Sequence, residues 1–463
     1  PRAVQMETEH PAWVEHAIVY GVIVRAFGNE GFDSVRARLD YLKELGVNAL
    51  WLSPVNVNPA RDYGYAVVDY FELREELGTK DDFRRLIEAA HARDIRVLMD
   101  LVPNHSSAEH PYFRTAQAEG PGSPYYEYYD RRKHPNEEQG EPKYRPDGDY
   151  TYYFGWQHLP NLNYDNPEVR RWMLEVSSYW VRDFNVDGFR VDAAWGIRER
   201  RPDFWPEWRR ELKRIKPDLL LLAEASARDP YYFTHGFDAA YDWTDQLGQW
   251  AWEHRTQSAF DLKGFIGRRL SGEIRNYDDG YHPDALVFRF LDNNDTGDRF
   301  ITKYGEGMTR VAAAMLLTLH GIPCIYVGDE VGEQFRPYDD TGPLSWEDKY
   351  GLRAFYRKLI GLRHDLPSLR SRHWASVVSD PAGDVLAYLR YTAPSRDPVL
   401  VVLNFSEEAV DVELELPPPF RSFGTTGALR DLLHDQGVEV GGRDPLVVQV
   451  PAWTARVLVH DGG

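Results

Sequence analysis

Four short apolar runs in this sequence each end in a cluster of carboxylates and amides. They read Asp100-Leu-Val-Pro-Asn104-His105, Gly188-Phe-Arg190-Val-Asp192, Leu222-Ala-Glu224 and Leu291-Asp-Asn-Asn294-Asp295. A lone acid after such a run commonly caps the next helix. Four runs delivering acids to one rim suit a different task, the cleavage of a glycosidic bond. One carboxylate must be ionised, to attack or stabilise an oxocarbenium centre, and another protonated, to assist the leaving oxygen. Arg190 precedes Asp192 by two residues, so on a strand both face the same side. A guanidinium there favours the ionised carboxylate, which makes Asp192 the nucleophile. Glu224 leaves the apolar stretch 219–223, where desolvation would raise its pKa as an acid catalyst needs.

Elements that could position these residues alternate along the chain. Apolar runs at 18–24, 49–54, 96–103, 188–194, 219–226, 237–243, 285–291 and 324–328 predict eight strands. Amphipathic stretches at 33–45, 81–93, 167–184, 203–215, 308–319 and 352–363 predict helices between or after them. Asp33 is the expected cap of the first helix and Gly46 its stop, and Pro167 fits the first turn of another. Runs rich in Val, Ile and Leu without strict alternation suit strands buried on both faces. Eight such β-α repeats predict a closed (β/α)8 TIM barrel of the α/β class, whose active site lies at the C-terminal ends of the strands. A doubly wound sheet would need a Gly-rich phosphate loop after the first strand, and none is there. Residues 104–166 are too long for an ordinary loop and rich in Tyr, with Trp156, so they read as a subdomain over one rim. Beyond 370 the pattern turns to alternating strands (385–391, 398–404, 410–416, 446–450), as in an antiparallel β-sandwich. The expected division is 1–103 with 167–369 for the barrel, 104–166 for the insertion and 370–463 for the sandwich.

Composition narrows the partners. Of 463 residues, 73 are acidic and 54 basic, a net charge of −19, which disfavours phosphate backbones and so nucleic acid. Aromatic residues make up 14%, as suits sugar-stacking surfaces and large cores equally. Cys324 is the single cysteine and falls in an apolar run, so we expect a buried, inert thiol. No apolar stretch is long enough to span a bilayer. The chain starts at Pro1 without Met or an apolar leader, as a processed or trimmed start would; secreted, periplasmic and cytoplasmic settings stay open, as does the oligomeric state. His134, His158 and His235 lack metal-ligand spacing and read as surface or packing residues. Asp329 and Glu330, after the last barrel strand, read as a structural network or as site residues. Asn404-Phe-Ser matches a glycosylation sequon but lies in a predicted strand, so we read it as chance.

The segments 100–105, 188–192, 223–224, 293–295 and 321–330, in this order and spacing, resemble the α-amylase family of retaining α-glucoside hydrolases and transglycosylases. The resemblance covers nearly the whole chain. It implies that the nucleophile is Asp192, the acid/base Glu224 and the third carboxylate Asp295. It further implies that Arg190 is the family's arginine, His105 its sugar-binding histidine and Tyr65, in Tyr63-Gly-Tyr65, its stacking tyrosine. Tyr63, Asp100, Asn294 and Trp195 complete the expected substrate-binding set, with Trp195 either an apolar acceptor platform or a packing residue. Asn294 departs from the family's usual histidine; an amide can donate a hydrogen bond to a sugar hydroxyl but carries no charge. Ala193-Ala-Trp195-Gly196 replaces the Lys-His that follows the nucleophile in many starch-degrading members. The chemistry implied needs no cofactor. Asn104 stands at a calcium-ligand position, but Asn163 replaces a common Asp and the loop Gly28-Asn-Glu-Gly31 is short, so we expect no structural calcium. These departures point towards maltooligosaccharides, cyclodextrins or similar short α-glucans, and towards hydrolysis of α-1,4 bonds. A transglycosylase would use the same carboxylates, with an acceptor sugar in place of water. A sugar-binding protein that has lost the chemistry is the reading of another class.

Overall fold

The computed structural model describes residues 10–59, 63–131, 144–147, 150–242, 258–271, 285–423, 428–440 and 445–460. Eight strands, β1 (Val19–Val22), β2 (Ala49–Leu52), β3 (Arg96–Leu101), β4 (Gly188–Val191), β5 (Leu220–Ser226), β6 (Ala239–Tyr241), β7 (Leu286–Arg289) and β8 (Ile322–Tyr326), form a closed parallel barrel. Each strand bonds to its neighbours in sequence, and β8 returns to β1. Most strand residues are buried, as expected where helices cover the outside. Most of the strands end one to three residues before their apolar runs do, because the last residues of those runs leave the ladder and turn into the rim. Trp243, at the end of the sixth predicted strand, lies outside the described residues.

The helices differ from their expected bounds for local reasons. The one expected over 33–45 is two, Phe32–Ala37 and Leu39–Leu45, broken at Arg38. Asp33 is not its cap but sits in the first turn, paired with Arg36. The helix begins instead at Gly31, where φ is 55° and a Cβ would stand 2.0 Å from the Leu77 carbonyl oxygen, so only glycine fits. Lys80–His91 is closed by a capping box between Thr79 and Asp82. The helix expected from 308 runs over Phe300–Thr318, interrupted by the positive φ of Gly305, and only its second part carries the apolar pattern.

Residues beyond β3 form the helix Pro111–Glu119 and a hairpin of Tyr144–Asp147 with Tyr150–Tyr153. Bridges from His105 to Asn161 and from Tyr129 to Leu162 tie the segment to the barrel rim. Much of its aromatic content is structural: Tyr112 stacks on Tyr125 at 4.0 Å and packs against Trp172. His134 lies outside the described residues. Among the described residues the C-terminal region is antiparallel, with eight strands where four were expected. Its strand Trp374–Asp380 pairs with Val385–Thr392 through its first half and with Val410–Glu415 through its second, so it passes between two leaves. Leu389, Leu400, Val412, Val448 and Leu458 pack in one core between them. Asn404 is fully buried and its amide donates to the carbonyls of Glu408 and Pro451, which leaves no room for a glycan. Cys324 is fully buried, and burial pushes its thiol pKa up, away from reactivity. Among the described residues no helix is long and apolar enough to cross a membrane.

Candidate active site

Strand register brings the acids to one level. Asp100 pairs with Arg190, Arg190 with Leu222, and Val191 with Ala223. Side chains alternate across a strand, so Asp100 and Arg190 point into the barrel side by side. One step beyond the last pair, Asp192 and Glu224 share the next inward layer. A Cβ on Gly188 would stand 2.0 Å from the Leu220 carbonyl oxygen, so glycine lets β4 and β5 approach closely enough for this.

Arg190 is the hub. Its Nη1 donates to Asp100 Oδ1 at 3.0 Å and to Asp192 Oδ1 at 2.9 Å, and its Nη2 lies 3.1 Å from Glu224 Oε1. Its Nε donates to the Tyr241 hydroxyl at 2.9 Å. The rings of Trp51, Tyr65 and Tyr241 lie within 5.4–5.8 Å of the guanidinium carbon. Trp51 Nε1 and the Tyr65 hydroxyl also donate to Asp100 Oδ2, both at 3.2 Å. Asp100 is thus a buried anchor for Arg190, not a surface offered to substrate. Arg190 is fully buried too, and acts by holding carboxylates.

Beyond Asp192 the chain makes an unusual turn. Ala193 adopts φ 45°, ψ 39°, a left-handed conformation that costs a non-glycine residue about 1–3 kcal/mol. The turn aims the Ala193 N–H at Glu224 Oε2, 2.6 Å away. Burial pushes the Glu224 carboxyl up to about 7, against Arg190, and the nearby Asp192 charge raises it further. Burial likewise raises Asp295 to about 6, helped by the charge of Glu224. Here the structure corrects the sequence reading. Arg190 does not keep Asp192 alone ionised, because one guanidinium is divided among three carboxyls. Burial therefore outweighs it and raises Asp192 as well. A cluster of this kind holds protons near neutrality and shares them between its members.

The amide of Asn294 organises the opposite wall. Its Nδ2 donates to the hydroxyls of Tyr65 and Tyr338, both at 2.9 Å. Each hydroxyl spends its own proton on a carboxylate, Tyr65 on Asp100 and Tyr338 on Asp295 Oδ1 at 2.9 Å. Both tyrosines must therefore accept from Asn294, which fixes the orientation of the amide. The expected donation from Asn294 to a sugar is corrected: both N–H groups are already used. Its Oδ1 is buried without a hydrogen-bond partner. His105 Nδ1 accepts from Asn104 Nδ2 at 3.1 Å, while Nε2 donates to the Tyr65 carbonyl at 3.0 Å. Burial drives its pKa down to about 3, so the ring is neutral.

These groups face a cleft of about 360 Å³, lined by Tyr63, Tyr65, His105, Tyr153, Trp156, His158, Leu159, Asp192, Glu224, Asn294, Asp295 and Tyr338. That size falls within the range of small-ligand pockets. Of the residues singled out from sequence, Tyr63, Tyr65, His105, Asp192, Glu224, Asn294 and Asp295 meet there, with Asp100 and Arg190 directly beneath. Trp195 does not line the cleft; it packs behind Tyr153 and Phe154. Asn104 faces Arg200. Asp329 pairs with Arg299, and Glu330 accepts from Tyr20 and Tyr41, so both belong to the barrel's framework. Sequence reasoning missed Tyr338 and took His158 for a surface or packing residue. Tyr338 comes from the loop after β8, where only its place beyond a barrel strand could have flagged it. Trp156 is 52% exposed and Tyr63 43%, which leaves aromatic faces open at the rim.

A parallel barrel with carboxylates converging on an aromatic-walled cleft at the C-terminal ends of its strands belongs to the class of barrel enzymes with an acid-catalyst site. Residues 28–350 match the family model for the alpha amylase catalytic domain. The alpha-amylase MalA of Haloarcula japonica is 36% identical, over 87% of this chain and 57% of that relative, so this chain spans little more than half its length. The maltogenic alpha-amylase of Bacillus acidopullulyticus is 30% identical, over 87% and 72% respectively. The solved alpha-amylase of Geobacillus thermoleovorans, complexed with acarbose, superposes with a TM-score of 0.77 at 25% identity, covering 96% of this chain and 98% of that one. The chain belongs to the α-amylase family.

Proposed function

We propose that this protein hydrolyses α-1,4-glucosidic bonds in starch-derived oligosaccharides, such as maltooligosaccharides and cyclodextrins, with net retention at the anomeric carbon. The observation that carries the reading is the pairing of Asp192 and Glu224. One guanidinium holds both, Arg190 Nη1 at 2.9 Å from Asp192 Oδ1 and Nη2 at 3.1 Å from Glu224 Oε1, which keeps the two carboxyls close together. Retaining enzymes set the two carboxyls about 5–5.5 Å apart, whereas inverting enzymes leave about 6.5–9.5 Å for a water between them. Two carboxyls shared by one guanidinium leave no such gap, which supports retention.

In this reading Asp192 attacks the anomeric carbon as Glu224 protonates the leaving oxygen. The C–O bond to the leaving sugar breaks and a bond to Asp192 forms. Glu224, now ionised, then takes a proton from water, which displaces Asp192. Asp295 stabilises the developing positive charge, with Tyr338 holding it in place. Tyr65 and His105 form the sugar-facing wall, and Trp156 and Tyr63 offer stacking faces at the rim. No step needs a cofactor. We assign 1–103 with 167–369 to the catalytic barrel, 104–166 to the roof of the cleft and 370–463 to a separate C-terminal unit.

Two measurements test this. Proton NMR of the first product from maltotriose should show the α-anomer; the β-anomer overturns retention. Mass spectrometry after trapping with an activated fluoro-glucoside should place the adduct on Asp192; an adduct elsewhere overturns the assignment. Product analysis at high maltotriose separates water from sugar as the acceptor, because longer oligosaccharides report transfer.

A further inference from the structure

Asn104 is the residue at a calcium-ligand position of the family that this chain retains. Both of its oxygens already face a cation. Arg200 Nη2 donates to Asn104 Oδ1 at 2.8 Å and to the Asn104 carbonyl at 3.2 Å. A guanidinium only donates and stays charged, so a metal ion offered the same oxygens would meet like charge at close range. Asn163, at the second position, is committed elsewhere: its Oδ1 accepts from the Asp165 N–H and its Nδ2 donates to the Glu127 carbonyl. Among the described residues no three His, Cys, Asp or Glu side chains gather as a metal-binding set. This donor set does not fit calcium.

The consequence reaches the cleft. Because Arg200 can only donate, Asn104 must turn Oδ1 towards it. Nδ2 is thereby turned away, to donate to Asn161 Oδ1 at 3.2 Å and to His105 Nδ1 at 3.1 Å. His105 Nδ1 is then an acceptor, which leaves the proton on Nε2, where it bonds the Tyr65 carbonyl. Arg200 ends the helix Ala194–Arg200, which starts two residues after Asp192, whereas Asn104 and His105 follow β3. The contact therefore ties together the segments that follow two neighbouring barrel strands, β3 and β4.

We infer that Arg200 is a built-in cation that takes the place of a structural calcium ion, and that through Asn104 it is a positioning residue fixing the tautomer and ring orientation of His105. The test uses the full chain. Its thermal unfolding midpoint is measured after exhaustive chelation and again in millimolar calcium, with calcium binding followed by calorimetric titration. We expect one midpoint throughout and no binding heat. A midpoint that falls on chelation and returns with calcium overturns the proposal. Arg200→Met and Arg200→Lys test the positioning role. Nitrogen chemical shifts of 15N-histidine-labelled protein identify the His105 tautomer, its signal assigned by its loss in His105→Gln. Arg200→Met should lower the midpoint by several degrees, mix the two tautomers and raise KM several-fold with a smaller change in kcat. Arg200→Lys should recover part of each, since an ammonium can still donate to Asn104 Oδ1. An Arg200→Met protein with unchanged midpoint and unchanged His105 shifts overturns the positioning role.

Discussion

Replacing Asn294 by alanine removes two hydrogen bonds at once, those to Tyr65 and Tyr338. Each neutral bond of this kind contributes about 0.5–1.5 kcal/mol net, so the pair amounts to about 1–3 kcal/mol. Neither tyrosine leaves its carboxylate, but each loses the donor that fixes its hydroxyl. If that energy is expressed in positioning for the transition state, kcat/KM falls by about fivefold to about 150-fold. Asn294→Asp keeps the shape, loses both donors and adds a negative charge beside Asp295, so it should be worse than alanine. Asn294→His keeps a donor and adds a group that titrates near pH ~6.5 to the rate profile. The assay is kcat/KM on maltotriose across the pH range for all three variants, with circular dichroism to confirm folding. Should Asn294→Ala stay within about twofold of the parent, with an unchanged profile, the amide does not organise this wall and the reasoning fails.

Other consequences follow from the same cluster. With Asp192 and Glu224 raised to about 7 and Asp295 to about 6, kcat/KM should rise as Asp192 and Asp295 ionise and fall as the cluster loses the proton Glu224 must donate, giving a narrow bell near neutrality; a flat profile from pH ~5 to ~9 contradicts these roles. Tyr338→Phe removes the donor that favours ionised Asp295, so the acid limb should move to higher pH, read from the same profile. The Glu224 carboxyl is raised on folding, so its ionisation destabilises the protein as pH rises through about 7. Glu224→Gln should therefore be nearly inactive yet gain thermal stability relative to the parent at pH ~8, and gain less at pH ~5; equal differences at both would refute the link. Asp187, at the other end of β4, is paired with His91, Arg96 and Lys216 and held down at about 2. Asp187→Asn should cost about 1.5–3 kcal/mol in denaturant unfolding with kcat little changed, because the buried carboxylate is lost from hydrogen bonds to Arg96 and Lys216, which stay partly exposed to solvent.

Much of this molecule was legible in the order of its residues. Eight apolar runs of limited length, six of them followed by a helical period, specify strand and helix through burial, and eight such strands leave a closed barrel as their packing solution. Asp192 and Glu224 could be named because a strand of period two carries Arg190 and Asp192 to one face, and because an acid leaving an apolar run must end where strands end. The break at Arg38 and the added strands of the C-terminal region were not legible. Of the added strands, Leu429–Asp431 and Gln436–Val438 are three residues each, too short to show alternation. The site's electrostatics were decided only in three dimensions. Sequence assigns Arg190 to its neighbour Asp192, but the register of β3, β4 and β5 places Asp100 and Glu224 equally close, and a charge divided three ways cannot keep one acid ionised against burial. Asn294 reads as a sugar ligand until Tyr65 and Tyr338, distant in sequence, use its donors. Asn104 reads as a metal ligand until Arg200 arrives from another strand's helix. In each case the type of a residue fixed what it could donate, accept or carry, and the partners that consumed that capacity lay tens to hundreds of residues away, where only the closed barrel brings them together.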